Sequence, residues 1–450
     1  MYPVSTAYRA RVLDTSRVWD LQIRIVLANG VNLNLTKENL KLGTFSYKDG
    51  SVCSDAVHTG ATFSSSVEFT IANDTREYSD YEFYGAKVYP SVGLALTDLG
   101  TFEYVPLGEF NVIEPVKRLS TIPLVCFDNM ALLNKPFDFS TMVFPTSVGT
   151  VYRQVLSQCG ITAVGSLTAE VNALTYEINS FLTNDSTCRD VLAGIGVLLL
   201  KNLRFNRQGQ LESYWYSSTT AYTDADTRVG NSSYSDEAHA ITGVFVEDAY
   251  GNVFSHGDST YPVELPTSPM LQGSAMMFPI LERTLSKHQE SVYRAATVTW
   301  IGDPAIQAGD IVEHRNTPVG TVQLAVMRVH YKFAGTSTFE SLGPDVSTLE
   351  QPTATDRKMR KAFEQTRQNY EELKTQINQT ADRVEIAASK VENLKIGARN
   401  LIRNSNNMIY KDYYFSSTNY VDDIAVVDGV MHIRTLTNMP MQSGSILTIV

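Results

Sequence analysis

The stretch ATVTWIGDPAIQAGDIVEHRNTPVGTVQLAVMRVHYKF, residues Ala296–Phe333, is the densest strand–turn–strand segment of the chain. Short runs of β-branched and aromatic residues alternate in it with turn-forming groups such as Gly-Asp-Pro and Pro-Val-Gly. This pattern is typical of strands that are joined by tight turns. Since β character extends on both sides of the stretch, we expect residues 241–350 to form a β-rich domain.

Residues 1–140 also have the pattern of β structure. If Thr62–Ile71 is extended, its apolar side chains fall on one face, because alternate residues of a strand point the same way. These side chains are Phe63, Val67, Phe69 and Ile71. Further strands are predicted at Leu21–Val26, Gly85–Tyr89 and Phe110–Ile113.

Between the two β-rich regions, residues 141–240 show helical periodicity. The apolar residues Val148, Val151, Tyr152, Val155 and Leu156 have the spacing of one helix face, and Gly160 provides a C-cap. A second helix is predicted after Ser186 or Thr187 as the N-cap, with its apolar face at Val191, Leu192, Ile195 and Leu198. The two glycines of LAGIGVLLL indicate close helix packing rather than a phosphate-binding loop. The segment that follows reads as a hairpin around Gln208-Gly209.

A linker and a heptad helix follow over residues 351–396. A stripe repeating every 3.5 residues is too narrow for packing on a globular core, so it favours a coiled coil between copies of the chain. The predicted oligomerisation seam consists of Phe363, Tyr370, Leu373, Ile377, Val384, Val391 and Leu394. β-branched and leucine seams favour dimers at least as much as trimers, so the pattern leaves the strand number open.

Composition limits the classes of function. The 450 residues carry a formal net charge of -11 and lack a basic stripe, which argues against a nucleic-acid-binding protein. The longest apolar run is far too short to span a membrane, and the N-terminal residues have no apolar signal-peptide core. The four cysteines lie far apart without CxxC spacing, so we expect buried reduced thiols rather than disulfides or a metal site. These are Cys53, Cys126, Cys159 and Cys188. We expect synthesis and assembly in a cytoplasm.

The sequence contains no strong signal of catalytic chemistry. The candidate residues are His239, His256, Asp258 and His288. No HExxH, GxSxG or Walker sequence is present. The run SHGDST places Ser, His and Asp side by side, whereas catalytic triads are assembled from distant positions, so we expect a polar loop there. The sequence therefore predicts no enzyme, no catalytic or metal site, and no cofactor.

Several segments together resemble the tail-tip hub proteins of phages and prophages of Gram-positive bacteria, which are related to the baseplate hubs of contractile-tailed phages. The resemblance lies in four successive parts of the chain, in the family's order: YVPLGEFNVIEP (Tyr104–Pro115), CFDNMALLNKPF (Cys126–Phe137), STCRDVLAGIG (Ser186–Gly196) with NRQGQLESYWY (Asn206–Tyr216), and GDPAIQAGDIVE (Gly302–Glu313). In addition, GARNLIRNSN (Gly397–Asn406) resembles the opening of carbohydrate-binding-like jelly-roll modules of tail proteins.

The resemblance implies a mainly β fold with an α+β insertion. Residues 1–140 and 241–350 would be two β-barrel-like hub domains, and residues 141–240 a helical insertion domain. After the coiled coil, residues 397–450 would begin a jelly-roll-like module, with strands at Asp412–Phe415 and Val430–Thr435. That region is too short for a complete jelly roll and ends in the apolar run ILTIV. We therefore expect the chain to be part of a longer tail protein.

The resemblance also implies a function and partners. The chain would form a homotrimeric ring that closes the tail tube and connects it to the distal tip. Its partners would be tail-tube and distal tail proteins, the tape-measure protein and a host surface glycan. The location would be the tail of a virion or of a tail-like particle, assembled in the host cytoplasm. The alternative is a tail-associated wall hydrolase or peptidase, or a glycan-binding adhesin, whose activity lies beyond residue 450.

The seam yields a direct prediction. Ile377→Asp places a charge in the predicted coiled-coil interface, where its desolvation opposes association. We expect gel filtration to show weaker oligomerisation, with the fold of residues 1–350 retained.

The matched control is Thr375→Asp, which adds the same charge two residues away, on the face opposite the seam. An elution profile for Ile377→Asp identical to that of the control would contradict the assigned seam.

Overall fold

The computed structural model describes residues 1–14, 16–51, 57–97, 100–113, 115–176, 186–218, 231–248, 251–258, 260–271, 274–333, 335–343, 421–427 and 430–435. The chain divides into two compact units, Met1–Lys361 and Ala362–Val450. Because the predicted seam falls within residues 363–394, it lies outside the described residues and stays a prediction. Among the described residues, no helix is both long enough and apolar enough to cross a membrane.

Strands dominate the described part of the chain. In chain order they are β1 (Trp19–Val26), β2 (Asn32–Thr36), β3 (Ser46–Ser51), β4 (Ser64–Ala72), β5 (Lys87–Ala95), β6 (Phe102–Pro106), β7 (Phe110–Val112), β8 (Thr121–Asp128), β9 (Thr146–Ser147), β10 (Thr175–Tyr176), β11 (Asn202–Phe205), β12 (Leu211–Tyr214), β13 (Ser217–Ser218), β14 (Ser233–Tyr234), β15 (His239–Ala240), β16 (Gly243–Glu247), β17 (Val253–Gly257), β18 (Pro262–Glu264), β19 (Val292–Tyr293), β20 (Ala296–Trp300), β21 (Asp310–Thr317), β22 (Gly320–Ala325), β23 (Arg328–Lys332), β24 (Ser337–Ser341), β25 (Val421–Val427) and β26 (Val430–Thr435).

Helices are fewer. They are α1 (Thr6–Val12), α2 (Val148–Cys159), α3 (Ala169–Ala173), α4 (Cys188–Leu198) and α5 (Ser274–Gln289), with short 3-10 helices at Lys37–Asn39 and Asn129–Leu133.

One antiparallel sheet of twelve strands organises the first unit. Its order is β14-β20-β24-β23-β3-β4-β8-β7-β5-β1-β2, and β6 pairs with β5. The first and second β-rich regions meet where β3 pairs with β23, with Tyr47 opposite Tyr331 and Asp49 opposite Val329. The two regions therefore share a continuous hydrogen-bonded ladder.

The expectation of a mainly β chain is confirmed, but the described strands do not form closed barrels. The large sheet is open, since it begins at β14 and ends at β2. The physical reason lies at β3 and β23. Each of these strands pairs with the other β-rich region. Neither region therefore has an unpaired edge at this point, and no closure into a barrel is needed to cover one.

The alternation predicted for the first region is observed. Along β1, the side chains of Leu21, Ile23 and Ile25 are buried, and they pack in one cluster with Val67 and Phe69 of β4. All four residues of the face predicted within Thr62–Ile71 are at most 4% exposed. Burying such a face removes roughly 1.5–3 kcal/mol of unfavourable hydration per large side chain.

The predicted helices and hairpin of the middle region are also confirmed. Helix α2 begins at the N-cap Ser147, and Gly160 ends it in the left-handed conformation with φ +64°. Helix α4 starts with a capping box, in which the side chains and amides of Thr187 and Asp190 bond reciprocally. Strands β11 and β12 form the hairpin around Gly209, whose φ is +74°. These elements share a core with α5 and β16, and the predicted domain borders at residues 140 and 240 stay predictions.

The glycines of α4 serve close packing, as predicted. A Cβ on Gly194 would overlap the Ser268 Oγ and lie 2.7 Å from the Met270 Cβ, and one on Gly196 would lie 3.1 Å from the Gly60 Cα. The second unit contains the antiparallel hairpin β25–β26. Its β26 matches the strand expected at Val430–Thr435.

The packing at Gly194 gives a prediction. Alanine is the better helix former, by about 1 kcal/mol, but at this position its methyl group must displace Ser268 or Met270. Overpacking of this kind costs about 1–3 kcal/mol. We therefore expect Gly194→Ala to lower the urea midpoint of unfolding.

Ser157→Ala, at an exposed position of α2, serves as the control and is expected to leave the midpoint nearly unchanged. An unchanged or higher midpoint for Gly194→Ala would show that the space around α4 adapts to a methyl group.

Candidate functional site

The two β-rich regions and the β11–β12 hairpin meet in a buried polar cluster, called the junction here. It consists of Asp49, Asp128, Arg204, Arg207 and the turn Gly302–Asp310.

The turn Gly302–Asp310 folds on its own aspartates. The Asp303 carboxylate accepts from the Ala305 amide at 2.8 Å, and the Asp310 carboxylate accepts from the Gln307 amide at 2.9 Å. Gly309 has φ +97°, and a Cβ there would lie 2.5 Å from the Tyr214 ring. The turn is therefore rigid and leaves other backbone groups free to bond outside it.

Arg207 joins three parts of the chain. Its Nη1 donates to the Pro106 carbonyl of β6 at 2.8 Å, and its Nη2 donates to the carbonyls of Pro304 at 2.8 Å and Ile306 at 3.2 Å. The side chain is 8% exposed. A planar guanidinium can reach several carbonyls at fixed angles, which a lysine amine cannot do.

Asp49 and Arg204 hold the backbone of Ala308 from both sides. The Asp49 carboxylate accepts from the Ala308 amide and from the Ser65 hydroxyl, each at 2.9 Å. Arg204 donates through Nη1 to the Ala308 carbonyl and through Nε to Glu212 at 2.7 Å. Its guanidinium also lies 4.4 Å from the centre of the Tyr214 ring. Strand β3 and the hairpin therefore bind the same residue of the turn.

Asp128 organises the end of β8. Its carboxylate accepts from the amides of Ser65 at 2.8 Å and Met130 at 3.0 Å and from the Ser64 hydroxyl at 3.1 Å. Burial raises the pKa of Asp128 to about 7, although these hydrogen bonds favour the charged form. Its neighbour Asn129 donates to the Gly209 carbonyl at 3.0 Å and so ties β8 to the hairpin.

The four segments of the tail-hub resemblance lie at or beside this junction. Pro106, Asp128, Arg207 and the Gly302–Asp310 turn come from different segments, and the contacts above connect them. The segment of α4 contributes Arg189, whose Nη2 donates to the Thr62 carbonyl at 2.7 Å, just before β4. The side chains of Asp128, Arg189 and Arg207 are all bonded to main-chain groups. The arrangement therefore fixes the geometry of the backbone.

The three histidines and the aspartate that were candidates for catalysis lie in surroundings that give them no catalytic arrangement. His288 is fully buried, with its ring nitrogens 2.7 Å from the Thr59 hydroxyl and 3.1 Å from the Tyr293 hydroxyl, and burial lowers its pKa to about 3. His239 stacks on Tyr261, with the ring centres 4.3 Å apart. His256 is exposed on β17, so the SHGDST run begins in a strand and not in the polar loop expected there. Asp258 follows it and accepts from the Thr260 amide at 2.6 Å.

Sequence reasoning missed the junction as a site. Arg207 lies in a segment that was noted for its resemblance, but nothing in the sequence indicated that its side chain would be buried. Asp49 stands in the run KDGS of β3, where no local pattern marks a buried carboxylate. Their roles arise from hydrogen bonds to residues up to 259 positions away, a separation that local patterns do not encode.

The raised pKa of Asp128 gives a pH prediction. An aspartate in an unfolded chain has a pKa near 4, so above this value the folded chain retains a proton that the unfolded chain releases. The stability contributed by that proton is present at low pH and is lost as the pH rises through about 7. Asp128→Asn does not titrate. From about pH 5 to about pH 8, we expect the unfolding free energy of the native chain to fall relative to this variant by on the order of 2 kcal/mol.

Urea unfolding across this range measures the difference. Asp138→Asn is the control, since Asp138 is exposed and hydrogen bonding to Ser140 lowers its pKa, so it does not titrate in this range. Parallel pH profiles for the native chain and Asp128→Asn would contradict the protonation assigned to Asp128.

Comparison with known proteins gives structural neighbours only. No family model and no curated protein sequence matches the chain. The 43 kDa tail protein of prophage MuSo2 from Shewanella oneidensis is 12% identical, with a TM-score of 0.45, covering 72% of this chain and 99% of that one. Prophage tail protein gp18 from Listeria monocytogenes EGD-e is 10% identical, with a TM-score of 0.45, covering 72% and 95%. A chain of the phage P2 baseplate is 10% identical, with a TM-score of 0.25, covering 72% and 99%. These neighbours are phage tail and baseplate components, and at such identities no family is assigned.

Proposed function

We propose that the chain is a structural hub at the tail tip of a phage or of a phage-tail-like particle. In this role it forms a homotrimeric ring that closes the tail tube and connects the tube to the distal tip. The observation that carries the proposal is the continuity of the twelve-stranded sheet across β3 and β23, fixed by the junction. The resemblance of four sequence segments to tail-hub proteins is the reason for placing this hub in a phage or in a phage-tail-like particle.

The sheet suits a ring subunit for a mechanical reason. Relative motion of the two β-rich regions would have to break the β3–β23 ladder together with the buried bonds of Asp49 and Arg207. Buried polar groups left without partners cost about 1–3 kcal/mol each, so such motion is strongly opposed. Each chain thus presents two β-rich regions as one rigid body, and three chains present six. Six β-rich regions in a three-fold ring match the six-fold symmetry of a tail tube.

The remaining parts of the chain fit distal roles. In this role, the coiled coil predicted from the heptad pattern of residues 363–394 would connect the ring to the distal tip. The module that residues 397–450 are expected to begin would contact further tail proteins or a host surface glycan. The ring itself contacts tail-tube proteins and the tape-measure protein. The net charge of -11 on each chain favours a lumen that nucleic acid passes without binding.

The test is the oligomeric state and shape of the full chain. We expect mass photometry at micromolar concentration to show a species of three times the 49.9 kDa chain mass. Negative-stain imaging should then show rings with three-fold symmetry and a central opening. A closed ring buries two interfaces per chain, so dilution should not populate stable dimers.

Ile377→Asp separates the contributions of ring and coil. We expect the trimer of this variant to dissociate into monomers at a higher concentration than the native trimer, and three-fold rings that remain at micromolar concentration would show the contribution of the β-rich regions. A clean monomer of the native chain under these conditions, or a two-fold particle, would overturn the proposed hub.

A further inference from the structure

Two of the cysteines are neighbours in space. Cys159 is the last residue of α2, and Cys188 is the first residue of α4. Their thiols are within hydrogen-bonding contact of each other. Cys159 is 8% exposed and Cys188 is fully buried, and both belong to the same apolar cluster. Among the described cysteines, Cys126 lies apart from them in the core of the first β-rich region.

The segment Lys135–Asp138 holds the two helix ends together. The Cys188 amide donates to the Lys135 carbonyl at 3.0 Å, and the Lys135 ammonium donates to the Gln158 carbonyl. The Gln158 side chain in turn donates to the Pro136 carbonyl at 2.7 Å and accepts from the Asp138 amide at 3.1 Å. Cys188 through its own amide and Cys159 through its neighbour Gln158 are therefore tied to the same short segment.

The surroundings of the two thiols differ in a way that suits stepwise chemistry. The hydrogen bond from Cys188 and the nearby Lys135 charge lower the pKa of Cys159 to about 7, against the effect of burial. The same contact and burial raise the pKa of Cys188. A thiolate is the reactive form of cysteine. Cys159 is also the more accessible of the two.

We propose that Cys159 and Cys188 form a reversible disulfide by exchange with a low-molecular-weight disulfide. The Cys159 thiolate attacks one sulfur of the small disulfide, forms a mixed disulfide and releases one small thiolate. The Cys188 thiol then loses its proton to solvent and attacks the Cys159 sulfur, which releases the second small thiolate. The two cysteines are oxidised by two electrons, and the small disulfide is reduced to two thiols.

The bond would connect α2 to α4 and close the chain over residues 160–187. Closing a loop of this length restricts the unfolded chain more than the folded one, which stabilises the folded state. A chain made in a reducing cytoplasm keeps both thiols. It would acquire the bond on reaching an oxidising medium, and the middle region would then become more resistant to unfolding.

The test uses the full chain, purified reduced and then incubated with oxidised glutathione. We expect peptide mapping without reductant to recover a peptide pair linked through Cys159 and Cys188. Dithiothreitol should separate the pair. The thermal midpoint should rise by a few degrees on oxidation and return on reduction.

Two variants assign the roles of the cysteines. Cys188→Ser should accumulate a glutathione adduct on Cys159, because the resolving thiol is missing. Cys159→Ser should leave Cys188 largely unmodified under the same conditions. If either variant fails to fold, the mapping of the native chain still decides. Recovery of both thiols free from folded, glutathione-treated chain would overturn the proposal, as would links through Cys53 or Cys126 instead.

Discussion

The backbone of the Gly302–Asp310 turn is held by three side chains from two distant parts of the chain, and the rest of the fold depends on this constraint. Asp49 reaches it from β3, while Arg204 and Arg207 reach it from the β11–β12 hairpin. Asp49 and Arg207 are buried and Arg204 is half-buried, which limits competition from water for these bonds. A turn that moved would leave charges and carbonyls without partners, at about 1–3 kcal/mol for each group. The junction thereby fixes the pairing of β3 with β23.

This constraint connects the architecture to the proposed role. A tube-closing ring needs subunits that do not deform between their contact surfaces. The junction makes one body of two β-rich regions that are separated in sequence by the α2–α4 region. The hairpin that carries Arg207 belongs to that middle region, so the insertion also takes part in holding the sheet together. Asp128 adds a pH-dependent element, since its burial near neutrality depends on retaining a proton.

The sequence predicted the local structure well because local structure depends on local patterns. The buried face of β4, the caps of α2 and α4, the hairpin at Gly209 and the close packing at Gly194 all follow from spacing and residue type. The open twelve-stranded sheet did not follow, because pairing of β3 with β23 joins residues at least 280 positions apart. The junction was missed for the same reason. A buried Asp49 or Arg207 is defined by partners that no short window contains. The heptad seam lies outside the described residues and stays a prediction.

Hydrogen–deuterium exchange of the full chain with Arg207→Lys tests the junction most directly. Arg153→Lys, at an exposed position of α2, is the matched control. If Arg207 holds the two β-rich regions together, the amides of β3 and β4 and those of β20, β23 and β24 lose protection together in the Arg207 variant. The control should match the native chain throughout. Loss of protection confined to the β11–β12 hairpin would contradict the account.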